Sequence, residues 1–244
     1  MKFFTNRLRA NSFGGAAVAY DAHRPRYPDA MIDDLVTSGV RAILDVGAGT
    51  GIASQQFAER GAEVLAVEPD ARMAALARLK GIPVELDTFE GWDPAGRRFD
   101  LVVFAASFHW VDPAIALPKV RDVLTEGGRL ALLWNRLKPT KPAWDQFAAI
   151  YAEFMDAGTS RIDEEPDELI AELAAAGYAV TQHRYSCSFQ YSRDRWLDYM
   201  FTHSNHLTLT ADAATELRAR LAGCIGVAGV SVGGDGFAIV ATPT

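Results

Sequence analysis

Two hydrophobic rhythms alternate over the first 135 residues. Short apolar runs bounded by turn residues, "RAILDV" (41–46), "AEVLAVE" (62–68), "IPVEL" (82–86), "FDLVVFA" (99–105) and "RLALLW" (129–134), predict buried strands. Between them, apolar positions recur every three or four residues. "YPDAMIDDLVTSG" places Met31, Ile32, Leu35 and Val36 on one helical face, with Gly39 as a stop. "IASQQFAERG" closes on Gly61, and Asp70 caps a helix carrying Met73, Leu76 and Leu79 that ends at Gly81. Asp112 and Pro113 open a helix over "DPAIALPKVRDVLTEGG", in which Pro118 is expected to kink the helix or delay its start. Strands alternating with helices predict an α/β chain with a parallel, doubly wound sheet and right-handed crossovers.

The rhythm changes after Asn135. "RLKPTKPAW" reads as a loop. Helical spacing follows for Phe147, Ile150, Tyr151 and Phe154, for "DELIAELAAAG", around Arg195 to His203, and over Ala211 to Leu221. "YAVTQHRYSCSFQYS" and "GFAIVAT" (236–242) have strand composition, and the glycines from Gly223 to Gly236 suggest a mobile connection before the last strand. Phe147, Tyr151 and Phe154, with Trp196, Tyr199, Met200 and Phe201, are spaced either as a lid over an apolar pocket or as ordinary core helices.

The 244 residues carry a net charge of -7, which argues against a broad nucleic-acid or anionic-membrane surface. No apolar run is long enough to span a bilayer, and "MKFFTNRLRANSF" lacks the apolar stretch of a secretory signal. Cys187 and Cys224 have no metal-ligand spacing and suit thiols in a reducing cytoplasm. The histidines at 23, 109, 183, 203 and 206 form no H-E-x-x-H pattern, so no metal site is expected.

The stretch that carries chemistry is "ILDVGAGTGIA". Gly47, Gly49 and Gly51 follow the first strand, where an open parallel sheet binds its ligand, and their lack of Cβ atoms lets a ligand approach the backbone. Glu68 ends the second strand about 20 residues on, where a carboxylate accepts from two ribose hydroxyls. A nucleoside is therefore expected. The glycines do not fit the dinucleotide spacing G-x-G-x-x-G, because position 52 is Ile, and no phosphate-binding G-x-x-x-x-G-K-[ST] is present. Asp45, just before the turn, would repel a pyrophosphate and attract a cationic ammonium or sulfonium.

"ILDVGAGTG" with "VLAVEPDARM" resembles the class I S-adenosylmethionine-dependent methyltransferases, and "FDLVVFAASFHWVDP" and "VLTEGGRLALLWN" resemble their later motifs. "FHWVD", "LLWN" and "AYDAHRPRYP" are similar to the small-molecule branch that includes trans-aconitate methyltransferase. The resemblance covers residues 13 to 135 and weakens beyond. It implies a Rossmann-like sheet of seven strands, the last antiparallel and beside the sixth, with a helical lid. It implies one domain: an arm and helix (1–38), a cofactor-binding core (39–136), a lid with the sixth strand (137–210), and a final helix with the last strand (211–244).

The cofactor implied is S-adenosylmethionine. Asp45, Gly47 and Gly49 would border its methionine part, and Glu68 would take the ribose. Pro69 and Met73 would pack on the adenine, with Thr88 and Phe89 at its other edge, and Ala105 would offer backbone near the amino group. Tyr20 and Arg24 would close over the carboxylate. Phe89 stands where the family has a small residue.

Methyl transfer from a sulfonium needs alignment and water exclusion more than a charged triad. His109 follows the fourth strand. It would take the proton of a hydroxyl acceptor, orient a carboxylate, or bond a backbone carbonyl as a structural residue. Trp110, Trp134 and Asn135 sit at strand ends where an acceptor would lie. No [DN]-P-P-[YFW] motif for nucleobase amines is present, so the implied partner is a small molecule. The favoured reaction is O-methylation of a carboxylic acid or hydroxyl. Its rivals are C-methylation of a quinone or lipid precursor, a cofactor-binding protein without turnover, and a nicotinamide dehydrogenase, which the glycine spacing disfavours.

Overall fold

The structure is a computed structural model that describes residue 9 and residues 11–36, 39–155 and 166–244. The N-terminal stretch read as non-secretory lies outside the described residues through position 8, as does the part of the lid between 156 and 165. Seven strands form one sheet: β1 (Ala42–Val46), β2 (Glu63–Val67), β3 (Val84–Glu85), β4 (Phe99–Ala105), β5 (Leu124–Lys141), β6 (Tyr178–Tyr191) and β7 (Val230–Pro243). Their order is β3-β2-β1-β4-β5-β7-β6. The first five pair in parallel, and β7 lies antiparallel between β5 and β6. This is the implied seven-stranded Rossmann-like arrangement.

Both faces of the central strands are covered, which explains their continuous apolar sequences. On one face Ile43, Ala66, Leu101, Val103 and Leu133 pack against α2 (Asp29–Leu35) and α3 (Ile52–Ala58). On the other, Leu44, Val46, Val102, Phe104 and Leu132 pack against α5 (Pro113–Val123) and, through Leu173, α7 (Asp167–Ala175). The helix starts match their chemistry. Asp70 accepts from the N–H groups of Arg72 and Met73 and opens α4 (Ala71–Leu79), and Asp112 accepts from Ala114 N–H to open α5. Pro118 does not delay the start of α5, which begins at Pro113 and runs through it. In α4 the buried residues are Met73, Ala74 and Ala77, while Leu79 is exposed.

The largest departures from the sequence reading lie in the second half. Residues 136–141 form no loop but extend β5, which pairs with β7 as far as Lys141 opposite Ser231. A register shift after Pro139 accommodates a proline that cannot complete a regular ladder. The glycines at 233, 234 and 236 are likewise paired in β7 with β5 and β6 and do not form a mobile connection. The extended strands carry a second hydrophobic cluster beyond the sheet. In it Leu137, Tyr191 and Val232 meet Phe147 of α6 (Trp144–Tyr151), Trp196 and Tyr199 of α8 (Arg193–Met200), and Leu217 and Leu221 of α10 (Ala211–Ile225). Between α8 and α10 lies the short α9 (Ser204–Leu207).

The chain before α2 is fastened across the carboxyl ends of the strands. Gln56 of α3 is fully buried, accepts from Tyr27 N–H at 2.9 Å and donates to Tyr27 O at 2.9 Å. Asn135, partway along β5, donates to the carbonyls of Pro25 (3.4 Å) and Arg26 (3.3 Å), and Arg26 pairs with Glu59. Replacing Gln56 by alanine strands both backbone groups of Tyr27 and is expected to cost about 1–3 kcal/mol. Urea unfolding measures it; an unchanged midpoint would remove Gln56 as the fastening of the arm.

Candidate active site

β1 delivers the chain into Gly47-Ala48-Gly49-Thr50-Gly51. Gly47 (φ +65°) and Gly49 (φ +58°) lie in the left-handed region that a Cβ disfavours. At Gly47 a Cβ would also stand 2.7 Å from Ser107 Cβ. Ser107, just past β4, donates its hydroxyl to the Val46 carbonyl at 2.5 Å, so the tip of β4 clamps the turn. Nothing in the sequence marked this residue, because the contact spans 61 positions.

Glu68 lies across the mouth of the turn. Its Oε2 accepts from Gly49 N–H at 2.8 Å and its Oε1 from Asp70 N–H at 2.9 Å. Each oxygen keeps a second lone pair for a hydroxyl donor. The carboxyl is 7% exposed. Burial raises its pKa, while the two backbone N–H groups pull it back. A carboxylate fixed from behind by two backbone donors is preorganised for a vicinal diol.

Asp45 is the penultimate residue of β1. It is fully buried, and its Oδ2 accepts from the Ser54 hydroxyl of α3 at 2.5 Å, so its side chain braces that helix beneath the turn. Its Oδ1 and the Thr50 hydroxyl are buried without a hydrogen-bond partner.

Burial raises the Asp45 pKa to about 6, against the help of Ser54. An acid with a raised folded pKa binds its proton more tightly when folded, so the fold loses stability as pH rises from about 4 to about 6. Replacing Asp45 by asparagine is expected to flatten that loss and to stabilise the protein at pH 7, by an amount on the order of 1–3 kcal/mol. Denaturation of both proteins at pH 4 and pH 7 measures it; an equal pH response in the two would contradict the buried, ionisable carboxyl.

The N-terminal segment packs beside the start of α4, where a Cβ on Gly14 would stand against Asp70 and Arg72. Phe13 meets Trp110, beyond β4, with ring centroids 6.0 Å apart, and meets Tyr20 of α1 (Ala17–His23) at 5.9 Å. The Arg24 guanidinium lies 4.7 Å over the Tyr20 ring and 5.6 Å from that of Tyr199. Its Nη2 donates to the Thr202 carbonyl at 3.0 Å, and its buried Nε is unpartnered. The segment thus links the turn after β4 to α8 and the residues after it.

Residues 44–132 match the model of the methyltransferase domain family. An uncharacterized methyltransferase of Mycobacterium tuberculosis is 44% identical over 126 residues, 51% of this chain and 52% of that protein, so the match spans about half the length of that relative. A ubiquinone biosynthesis O-methyltransferase of Rhodopseudomonas palustris is 31% identical over 181 residues, 65% of this chain and 66% of its own. In fold, the chain is similar to a methyltransferase from Geobacter sulfurreducens solved with S-adenosyl-L-homocysteine. The TM-score is 0.53 and the identity 17%, over 93% of this chain and 96% of that one.

Residues 44–132 are similar to the methyltransferase domain family. The glycine turn, Glu68 and the strand tips that hold them all fall within or beside the matched segment.

Within the matched segment the other sequence candidates are placed as follows. Met73 is buried, with its Cε 3.8 Å from where a Cβ on Gly49 would be, and Pro69 is exposed. Thr88 is half-buried and its hydroxyl accepts from Gly91 N–H at 3.2 Å. Phe89 turns its ring into the core, stacked on Trp92 at 6.1 Å and edge-on to Phe104 at 5.6 Å. At 2% exposure it leaves no surface for an adenine to stack on. An aromatic ring gains more from that core than from a cleft wall. Ala105 is half-buried at the end of β4, next to Ala106 in the left-handed region at φ +56°.

His109 is exposed on the turn Phe108–Trp110, with its ring 4.6 Å from Trp110. Trp134 is half-buried and stacks on Phe237 at 6.0 Å. Among the described residues no group of three or more His, Cys, Asp or Glu side chains could hold a metal ion, and no helix is long and apolar enough to cross a membrane.

Proposed function

We propose that the protein transfers the methyl group of S-adenosylmethionine to an oxygen of a small-molecule acceptor. The observation that carries the reading is the Glu68 carboxylate, held by Gly49 and Asp70 N–H groups at the mouth of a turn whose glycines leave the backbone bare.

Glu68 would hold the ribose hydroxyls, Gly47 and Gly49 the methionine part, and Arg24 with Tyr20 the carboxylate, for which a planar guanidinium is suited. Met73 and Pro69 would lie on the adenine side, with Thr88 and the backbone of Phe89 and Ala105 at its edges. When bound, the cofactor supplies an electrophilic methyl on a sulfonium. The chain's own residues position and enclose. The arm from Phe13 to Arg24, held to Trp110 and Tyr199, would cover the cleft and exclude water from it. Trp110, Trp134 and Asn135 would border the acceptor. His109 would orient that acceptor from the rim, where its exposure suits contact with an incoming molecule.

The similarity to a ubiquinone biosynthesis O-methyltransferase favours oxygen as the methylated atom and an aromatic hydroxyl as its class. A quinone precursor is equally an acceptor for C-methylation, which stands as the second reading. The test is calorimetry with S-adenosylmethionine, S-adenosylhomocysteine and NAD, followed by a metabolite panel with radiolabelled methyl donor. Binding of both sulfur nucleosides without NAD, and an alkali-stable or ester-linked O-methyl product, are expected. NAD binding alone, or label found on carbon, would overturn the reading at its first or second step.

A further inference from the structure

β5 outruns its parallel neighbour. Ala105 opposite Leu133 is the last pair between β4 and β5, so from Trp134 onward β5 stands beyond the carboxyl end of β4, paired with β7. Side chains alternate along it. Asn135 turns to the arm, whose carbonyls it holds. Trp134 and Arg136 fall on the opposite face, the side on which Leu132 enters the core.

On that face one ring carries two cations. Phe237 of β7 lies opposite Trp134 in β5 and opposite Arg184 in β6. Trp134 stacks on it at 6.0 Å, and the guanidinium carbons of Arg136 and Arg184 lie 4.0 Å and 5.0 Å from its centroid. A single carboxylate serves both arginines. Asp235 accepts from Arg136 Nε at 2.9 Å and Nη2 at 3.0 Å, and from Arg184 Nη1 at 3.3 Å. Burial raises the Asp235 pKa, but the two guanidiniums outweigh it and hold the acid below its usual range. At neutral pH the cluster therefore carries two positive charges against one negative. The Arg136 and Asp235 side chains are only 19% and 21% exposed, so water screens the surplus weakly. Arg184 is exposed, and among the described residues Asp235 is its one hydrogen-bond acceptor, so most of its fork stays open.

We propose that Arg136 and Arg184 recognise an anionic group on the methyl acceptor, and that the acceptor is accordingly an aromatic acid whose ring lies against Trp134. This rests on the methyl-transfer reading, which places the acceptor at Trp134. A carboxylate is planar, matches the guanidinium fork and brings the cluster to neutrality. The group recognised is not the group methylated. A carboxylate drawn to two guanidiniums has its lone pairs engaged and is a poor nucleophile. It orients the molecule and leaves a ring hydroxyl to take the methyl. A neutral phenol gains nothing from the surplus charge, so the two arginines set specificity.

The test uses the whole chain saturated with S-adenosylhomocysteine, with benzoate and benzamide as probes of the same shape and different charge. Their titrations are followed by the 15N signals of the arginine Nε–H groups and the tryptophan indoles. Benzoate should bind about tenfold more tightly than benzamide, the difference a charge-assisted hydrogen bond makes. It should move the Arg184 and Trp134 signals. Two variants give the effect opposite signs. Arg184→Met keeps the pair between Arg136 and Asp235 and should erase the preference. Asp235→Asn leaves both cations unopposed and should widen it. Equal binding of the two probes, no binding of benzoate, or a preference that Arg184→Met leaves intact would overturn the proposal. If Asp235→Asn unfolds, Arg184→Met decides alone, since its side chain is exposed. Failure of the parent protein to bind S-adenosylhomocysteine would instead strike the methyl-transfer reading, while the preference for benzoate is still read on the free protein.

Discussion

Replacing Glu68 by alanine is expected to weaken binding of S-adenosylmethionine by about ten- to a hundredfold. A hydrogen bond to a charged group contributes about 1.5–3 kcal/mol, and each 1.4 kcal/mol is about a factor of ten. The substitution also releases the Gly49 and Asp70 N–H groups, which the carboxylate now holds at 2.8 and 2.9 Å, so the turn and the start of α4 loosen together. Replacement by glutamine keeps one accepting oxygen and should lose less, because it can still hold one of the two. Calorimetry on the parent and the two variants measures the series. Equal affinity in all three would place the nucleoside elsewhere.

The second large effect is on stability. Phe104 lies near the end of β4, fully buried, edge-on to Phe89 at 5.6 Å and to Phe108 at 5.1 Å. Truncation to alanine removes most of a large ring from a site whose neighbours are themselves pinned by strands and helices. The cost should be about 3–5 kcal/mol. By contrast, Phe189 on β6 is 39% exposed, and its alanine variant should stay within about 1 kcal/mol of the parent. Guanidinium denaturation midpoints test the pair; a Phe104 variant as stable as the Phe189 variant would mean the core around β4 relaxes to fill the space.

The central strands were legible because they are buried on both faces, so their sequences are continuously apolar, and the caps at Asp70 and Asp112 are local chemistry. The continuation of β5 was not. "RLKPTK" has the composition of a loop, and only pairing with β7, about 100 residues away, makes it a strand. The glycines of β7 misled for the same reason, since backbone pairing on both sides replaces what their side chains lack. Around the candidate site, the turn and Glu68 could be read because motif and spacing are local. The bond from Ser54 to Asp45 was not legible, because it depends on which face of β1 packs on α3. Phe89 could pass for a cleft residue until the ring of Trp92 gave it a place inside. Ser107 carries no motif, and its role comes from a contact that crosses the fold.

The most direct measurement is a crystal structure of the protein grown with S-adenosylhomocysteine. The account expects the nucleoside across the tips of β1 and β2, with both ribose hydroxyls on the Glu68 carboxylate and the amino acid end toward Arg24. A nucleoside bound away from Glu68, or none bound at saturating concentration, would contradict it.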